Sequence, residues 1–270
     1  MNVLAVSEMF GNTIQGEGMY TGIPSIFVRT TGCNLRCVFK DSICDTAYTS
    51  FNPEKPLYDN WDDLMGAFKK LVDENPKVNH LVVSGGEPLL QKNSLEVFLT
   101  KVFEIKDDWV VTIESNGSMP MLNPLGKGFK VDLYSISPKL STSVDWDCKY
   151  LTPEQRDRHN SMRLNYKNLY DIVKFSRNYQ FKFVYSGPEC IDEIKEIYAK
   201  MAEFVNKEDD FELNNWMRKH PNKNTQLMPE GITNDQLERT RKEAVQKCVE
   251  NGWRFCDREH IIIFKNKRGV

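Results

Sequence analysis

Long apolar runs are what the chain most clearly lacks: the longest hold four residues, Val3 to Val6 and Ile261 to Phe264. A membrane-spanning helix needs about 20, so none is expected. Charge of one sign is equally scarce. Lys and Arg number 36 against 38 Asp and Glu, a net −2, which excludes the strongly basic surface behind nonspecific nucleic-acid binding. No Lys or Arg precedes an apolar stretch near Met1, and Glu8 follows closely. A secretory leader is therefore not expected, and a cytoplasmic protein is. Evenly paired cysteines are missing too. The seven present are an odd number, which argues for reduced thiols over a disulfide framework.

What is there suffices for one large domain, expected over 1–270, since 40% of the residues are hydrophobic. The segment up to Gly32 reads as a glycine-rich loop followed by a short strand, Ser25 to Arg29. Trp61, Leu64, Met65, Phe68, Leu71 and Val72 then recur at helical spacing, behind an Asn60 N-cap and ahead of Asn75-Pro76. Strands are expected at His80–Ser84, Trp109–Glu114, Phe129–Ile136 and Phe181–Tyr185, and helices at Leu95–Ile105, Leu164–Phe175 and Ile191–Phe204. A last unit runs from Gln226-Leu-Met228 through a capping box at Thr233–Gln236 into a helix ending at Asn251-Gly252. Strand and helix thus alternate about six times. Such alternation implies parallel strands with right-handed crossovers, an α/β fold in the form of a layer or partial barrel, and function at the strands' C-terminal ends. The charged stretches 141–161 and 207–224 read as surface insertions.

Chemistry concentrates in two places. Cys33, Cys37 and Cys44 fall within twelve residues, just beyond the first expected strand. Structural zinc wants four protein ligands, whereas a 4Fe-4S cluster held by three cysteines keeps one iron open, and no fourth Cys or His lies nearby. Three reduced cysteines on a plain surface loop are the bland alternative. Beyond the second strand comes Gly85-Gly86-Glu87-Pro88. Glycines there permit close backbone approach and could receive an amino-acid-like ligand, or simply turn strand into helix.

These two motifs, in this order, resemble the radical S-adenosylmethionine (SAM) superfamily. The resemblance narrows to the 7-carboxy-7-deazaguanine synthase family through Glu8-Met-Phe-Gly-Asn-Thr-Ile-Gln-Gly-Glu-Gly18, Phe27-Val-Arg-Thr-Thr-Gly-Cys33 and Cys44-Asp-Thr46. Glu114-Ser-Asn-Gly117, Ser137-Pro-Lys139, Gln226-Leu-Met-Pro-Glu-Gly231 and the tail from Arg258 to Val270 extend it along the chain. Two departures fall in the cysteine loop. Cys37 and Cys44 are separated by six residues where the superfamily usually has two, and Ile43 stands in place of its aromatic residue.

The resemblance implies a partial (β/α)6 TIM-like barrel of the radical SAM type. It implies a 4Fe-4S cluster on Cys33, Cys37 and Cys44, whose open iron binds SAM, and a 5′-deoxyadenosyl radical that takes hydrogen from C6 of 6-carboxy-5,6,7,8-tetrahydropterin. The pterin contracts to 7-carboxy-7-deazaguanine with loss of ammonia and regeneration of SAM, assisted by Mg2+ at Thr46. Gly85, Gly86 and Glu87 are expected at the methionine end of SAM, Ser115, Ser137 and Lys139 along the rest of it, and Phe39 or Ile43 over its adenine. Gln15, Glu17, Arg29, His260 and the Val270 carboxylate are expected on the substrate, Arg29 as a planar fork of donors for its carboxylate. His80, His159 and His220 match no motif and are expected at the surface. The family further implies a homodimer, an electron donor such as flavodoxin, and no direct nucleic-acid contact. Rival readings are a radical SAM activase acting on a partner protein, which would have no reason to carry the terminal motifs, and a zinc-stabilised binding module.

Overall fold

The computed structural model describes residues 2–40, 42–145, 147–205, 223–265 and 267–269. One eight-stranded sheet runs in chain order: β1 (Val6–Ile14), β2 (Pro24–Thr30), β3 (His80–Gly85), β4 (Val110–Ser115), β5 (Leu133–Ile136), β6 (Tyr179–Tyr185), β7 (Thr225–Pro229) and β8 (Arg254–Phe255). β1 pairs antiparallel with β2, and every later pairing is parallel. Helices α1 (Trp61–Glu74), α2 (Lys92–Ile105), α3 (Pro153–Met162), α4 (Tyr166–Phe175), α5 (Glu189–Ala202) and α6 (Asn234–Asn251) lie between strands, and α7 (Glu259–Phe264) follows β8. The α/β partial-barrel expectation therefore holds, with 116–132 joining β4 to β5 without a helix.

Alternation along each strand divides the sheet's two faces. Outward residues such as Leu81, Val83, Val111, Ile113, Phe181 and Phe183 are fully or almost fully buried under the helices, in one core with Phe68, Phe98 and Trp109. The inward face carries one small apolar cluster, Phe10, Phe27 and Val82, with Val184 and Met228 beside the cleft. Elsewhere it is polar. Gln226 donates to Gln180, and Gln180 to Ser135, both at 2.8 Å. Continuing up β2, β4, β5 and β6, the inward positions become Arg29, Glu114, Ser137 and Lys182. Polar residues buried at the centre of a sheet must be paired or must serve a ligand.

Helix ends follow local chemistry. Asn60 caps α1 by accepting from Asp63 N, and Thr233 and Gln236 form a reciprocal capping box on α6, which closes with left-handed Gly252 at φ 68°. Four expectations change. The glycine-rich N-terminal segment contains β1, whose register breaks between Val6 and Glu8 and between Phe10 and Thr13 hide its period-two pattern. β5 is four residues long, with Phe129 to Asp132 outside it. The stretch 141–161 is no detached surface insertion, because Val144, Cys148 and Leu151 are buried and Val38 bridges Val144. His80 and His159 are buried at 1% and 2% exposure, each hydrogen-bonded through both ring nitrogens. Most of 207–224, including His220, lies outside the described residues. Among the described residues no helix is long and apolar enough to cross a membrane.

Candidate active site

At the C-terminal ends of the parallel strands lies a cleft enclosing about 1370 Å³ of empty space, part of it open to solvent. The cleft brings together Cys33, Cys37, Cys44, Thr46, Phe39, Gly85, Gly86, Ser115, Ser137 and Lys139 with Gln15, Glu17, Arg29 and His260. Val270 lies outside the described residues.

The thiol pole is built by close backbone contacts. Gly85 adopts φ 119°, and a Cβ on it would meet Thr30 backbone atoms at 2.3 Å. A Cβ on Gly86 would meet the Gly32 carbonyl at 2.0 Å. Gly86 N donates to Thr30 O and Glu87 N to Gly32 O, at 3.0 and 2.9 Å. The two glycines are thus required by the start of the cysteine loop itself. Between Cys37 and Cys44 the described residues pair across the loop: Cys44 N donates to Cys37 O, Phe39 N to Ser42 O, and Val38 bridges Ile43 antiparallel. The long gap therefore returns the Cys44 backbone beside that of Cys37, and Phe39 and Ile43 both face the cleft.

Glu87 departs from its expected place. Its carboxylate is fully buried behind the cleft wall, accepting from Ser115 Oγ at 2.8 Å, Asn116 N at 2.7 Å and Leu89 N at 3.0 Å. Burial pushes its pKa up, against the pull of these donors. Its bonds hold the end of β4 against the glycine turn, leaving Ser115 in the cleft. Lys139 Nζ donates to Ser137 Oγ at 2.7 Å and is a cation felt by all three loop thiols. Burial pushes Cys33 up to about 11 and raises Cys37 and Cys44 as well, so these thiols ionise readily only with further positive charge beside them. Among the described residues no three His, Cys, Asp or Glu side chains group as a ready metal site. Three thiols on one loop around a shared cleft, with a cation nearby, nonetheless match the donor chemistry of a three-cysteine cluster. Thr46 makes no side-chain cap, and its hydroxyl sits 3.4 Å from both Gly85 O and Cys44 Sγ.

The opposite pole is an ion network. Glu17 accepts from Lys182 Nζ at 2.7 Å and Arg258 Nε at 3.0 Å, with His260 Nε2 3.9 Å away. Burial pushes Glu17 upward, but Lys182 and Arg258 outweigh it and hold the carboxyl well below its ordinary range. Lys182, 3% exposed, also meets Glu114 at 3.4 Å, and Glu114 accepts from Gln15 Nε2 at 3.1 Å. Arg258 reaches Asp45 beside the cysteine loop and donates to Gly231 O at 2.5 Å. Arg29 is not a free fork: its Nε faces Glu8 at 3.4 Å and its NH1 donates to Tyr48 Oη at 3.1 Å. Lys182, Glu114 and Arg258 were not among the expected site residues. Glu114 and Arg258 stand at the heads of the Glu114–Gly117 and tail motifs, and a lysine inside the apolar strand Phe181-Lys-Phe-Val-Tyr185 is the signal that could have found Lys182.

Residues 27–201 match the model of the radical SAM superfamily. The chain is 31% identical to the 7-carboxy-7-deazaguanine synthase of Halobacterium salinarum, over 97% of this chain and 91% of that one. It is also 31% identical to the enzyme of the same name from Rhodopirellula baltica, over 99% and 89%. The chain belongs to the 7-carboxy-7-deazaguanine synthase family. The crystal structure of QueE from Escherichia coli shares its fold, with a TM-score of 0.53 at 20% identity over 95% of this chain and 94% of that one. Membership in this radical SAM family implies a 4Fe-4S cluster and SAM.

Proposed function

We propose that the chain converts 6-carboxy-5,6,7,8-tetrahydropterin to 7-carboxy-7-deazaguanine with loss of ammonia, in 7-deazapurine biosynthesis. The observation that carries this reading is the single cleft with three loop thiols at one pole and a buried Glu17 carboxylate among cations at the other. When bound, the cluster and SAM supply one-electron chemistry that removes a substrate hydrogen. The protein's own residues do the rest. Cys33, Cys37 and Cys44 hold the cluster, and Ser115, Ser137 and Lys139 line the space beside it. Phe39, on the cysteine hairpin, offers an apolar face for the adenine.

Glu17, kept anionic, accepts hydrogen bonds from the pterin's amino-pyrimidine edge, and Gln15, anchored on Glu114, keeps its loop in place. Arg29 and His260 bind the substrate carboxylate side, Arg29 with the donors that Glu8 and Tyr48 leave available. Thr46 is proposed to help hold Mg2+ through its hydroxyl, together with water and substrate oxygens. A homodimer and a small reductant protein such as flavodoxin complete the proposal. The test is an anaerobic assay with the pterin, SAM, reductant and Mg2+. Formation of 7-carboxy-7-deazaguanine is expected, and its absence from protein replete in iron and sulfide would overturn the proposal.

A further inference from the structure

The cysteine loop carries an enlarged Cys37–Cys44 hairpin, and such a hairpin needs a support that a shorter loop would not. The excursion between β5 and α4 provides it. Val38 N donates to Ser143 O at 2.9 Å and Asp145 N to Val38 O at 2.8 Å, a short parallel pairing. Val38 also packs in a small separate core with Cys148 and Leu151, flanked by Ile43 and Phe51. The excursion is itself tied down at its ends: Arg163 donates to Lys139 O at 2.9 Å and pairs with Glu193 at 2.6 Å, and Glu193 accepts from Ser141.

At the centre of this contact sits His159 of α3, 2% exposed. Its Nδ1 accepts at 3.0 Å from the N of Arg36, the residue just before Cys37 in the turn. Its Nε2 lies 3.1 Å from Ser143 Oγ, which already donates to Leu140 O at 2.6 Å. Ser143 must therefore accept, which fixes the proton on Nε2 and leaves Nδ1 bare for Arg36. Arg36 closes the turn by donating to Cys33 O and Leu35 O, at 2.7 and 2.8 Å. Burial pulls His159 down to about 4, which keeps that tautomer through the neutral range.

We propose that His159 is a positioning residue for the cysteine loop: seated between Arg36 and Ser143, its ring fixes the Cys33–Cys37 turn against the 140–162 excursion, so that a loop with an enlarged hairpin presents its three thiols together. The residue acts through Arg36 N and touches neither ligand. The inference rests on the assignment of Cys33, Cys37 and Cys44 as cluster ligands. Its test reads thiols of the apoprotein, so it can fail while product formation succeeds.

Anaerobic apoprotein is treated with iodoacetamide and the alkylation of each cysteine is followed by mass spectrometry. Opening of the turn in His159→Phe, which keeps ring volume but removes the acceptor, is expected to speed Cys33 and Cys37 by about tenfold. Cys248, buried on α6 away from the excursion, should keep its rate. His159→Asn, which places an amide oxygen near the lost Nδ1, is expected to stay close to the wild-type pattern. Ser143→Ala, which removes only the partner of Nε2, is expected to speed the same two thiols by a few-fold and serves if the phenylalanine variant does not fold. Unchanged Cys33 and Cys37 rates in these variants would overturn the proposal, as would an equal rise at Cys248, the sign of general loosening.

Discussion

Lys182 is 3% exposed and holds Glu17 and Glu114 together. Replacing it by methionine leaves Glu17 with Arg258 as its remaining close cation and Glu114, 21% exposed, short of a partner. Breaking a buried pair in this way costs about 3–5 kcal/mol. Lys182→Met is therefore expected to lower the denaturation midpoint by that equivalent and to weaken pterin binding; an unchanged urea transition would contradict the pairing. Titration has its own signature. Glu17 lies below its ordinary 4.5, so its contribution is complete above 4.5 and is lost only as pH falls through the lower folded value. Lys182 lies above its ordinary 10.5, so its contribution is complete below 10.5 and is lost as pH rises through the folded value. The network is thus constant across neutrality. His80 behaves otherwise. Burial pulls it from 6.5 to about 4, so the unfolded chain binds the extra proton between those values and stability falls as pH drops through that window. His80→Gln is expected to flatten the decline between pH 6.5 and 4 in urea titrations, and an identical slope would contradict the buried neutral ring.

At the scale of elements, the glycine turn after β3 sets the cysteine loop. Gly86→Ala forces a Cβ against the Gly32 carbonyl, a backbone clash worth about 1–3 kcal/mol of strain. Iron bound after anaerobic reconstitution is expected to fall several-fold. Gly66→Ala, at a helical glycine with nothing within 4 Å, is the control and should bind iron as the parent does. Most elements were legible because their signals are local: the Asn60 cap, the Thr233–Gln236 box, the apolar period of α1 and α5. β1 was not, since Gly11 and Asn12, the latter at φ 58°, interrupt its alternation at a register break. Nor was α3, whose capping box at Thr152 and Gln155 precedes a helix with almost no apolar face. Its one buried side chain, His159, carries the contact.

At the scale of the molecule, the two chain-terminal segments close the cleft together. Glu259 N donates to Gly16 O at 3.0 Å, Gly18 N contacts Cys256 Sγ at 3.1 Å, and Arg258 spans from Glu17 to Asp45. Motifs at 8–18, 33–46, 85–88 and 258–270 were readable one by one, and the cleft draws residues from each, while Glu87 stays buried behind its wall. What no motif could show was the convergence of Glu114, Lys182 and Arg258 from separate places in the chain, because it is set by strand register and inward alternation. The enlarged cysteine loop is proposed to hold one cluster with an iron open toward the cleft. Metal and sulfide analysis of anaerobically reconstituted protein, with EPR of the reduced state before and after adding SAM, tests it most directly. About four iron and four sulfide per chain, and a spectrum changed by SAM, are the expected result; a colourless protein carrying zinc, or a cluster whose spectrum ignores SAM, would contradict it.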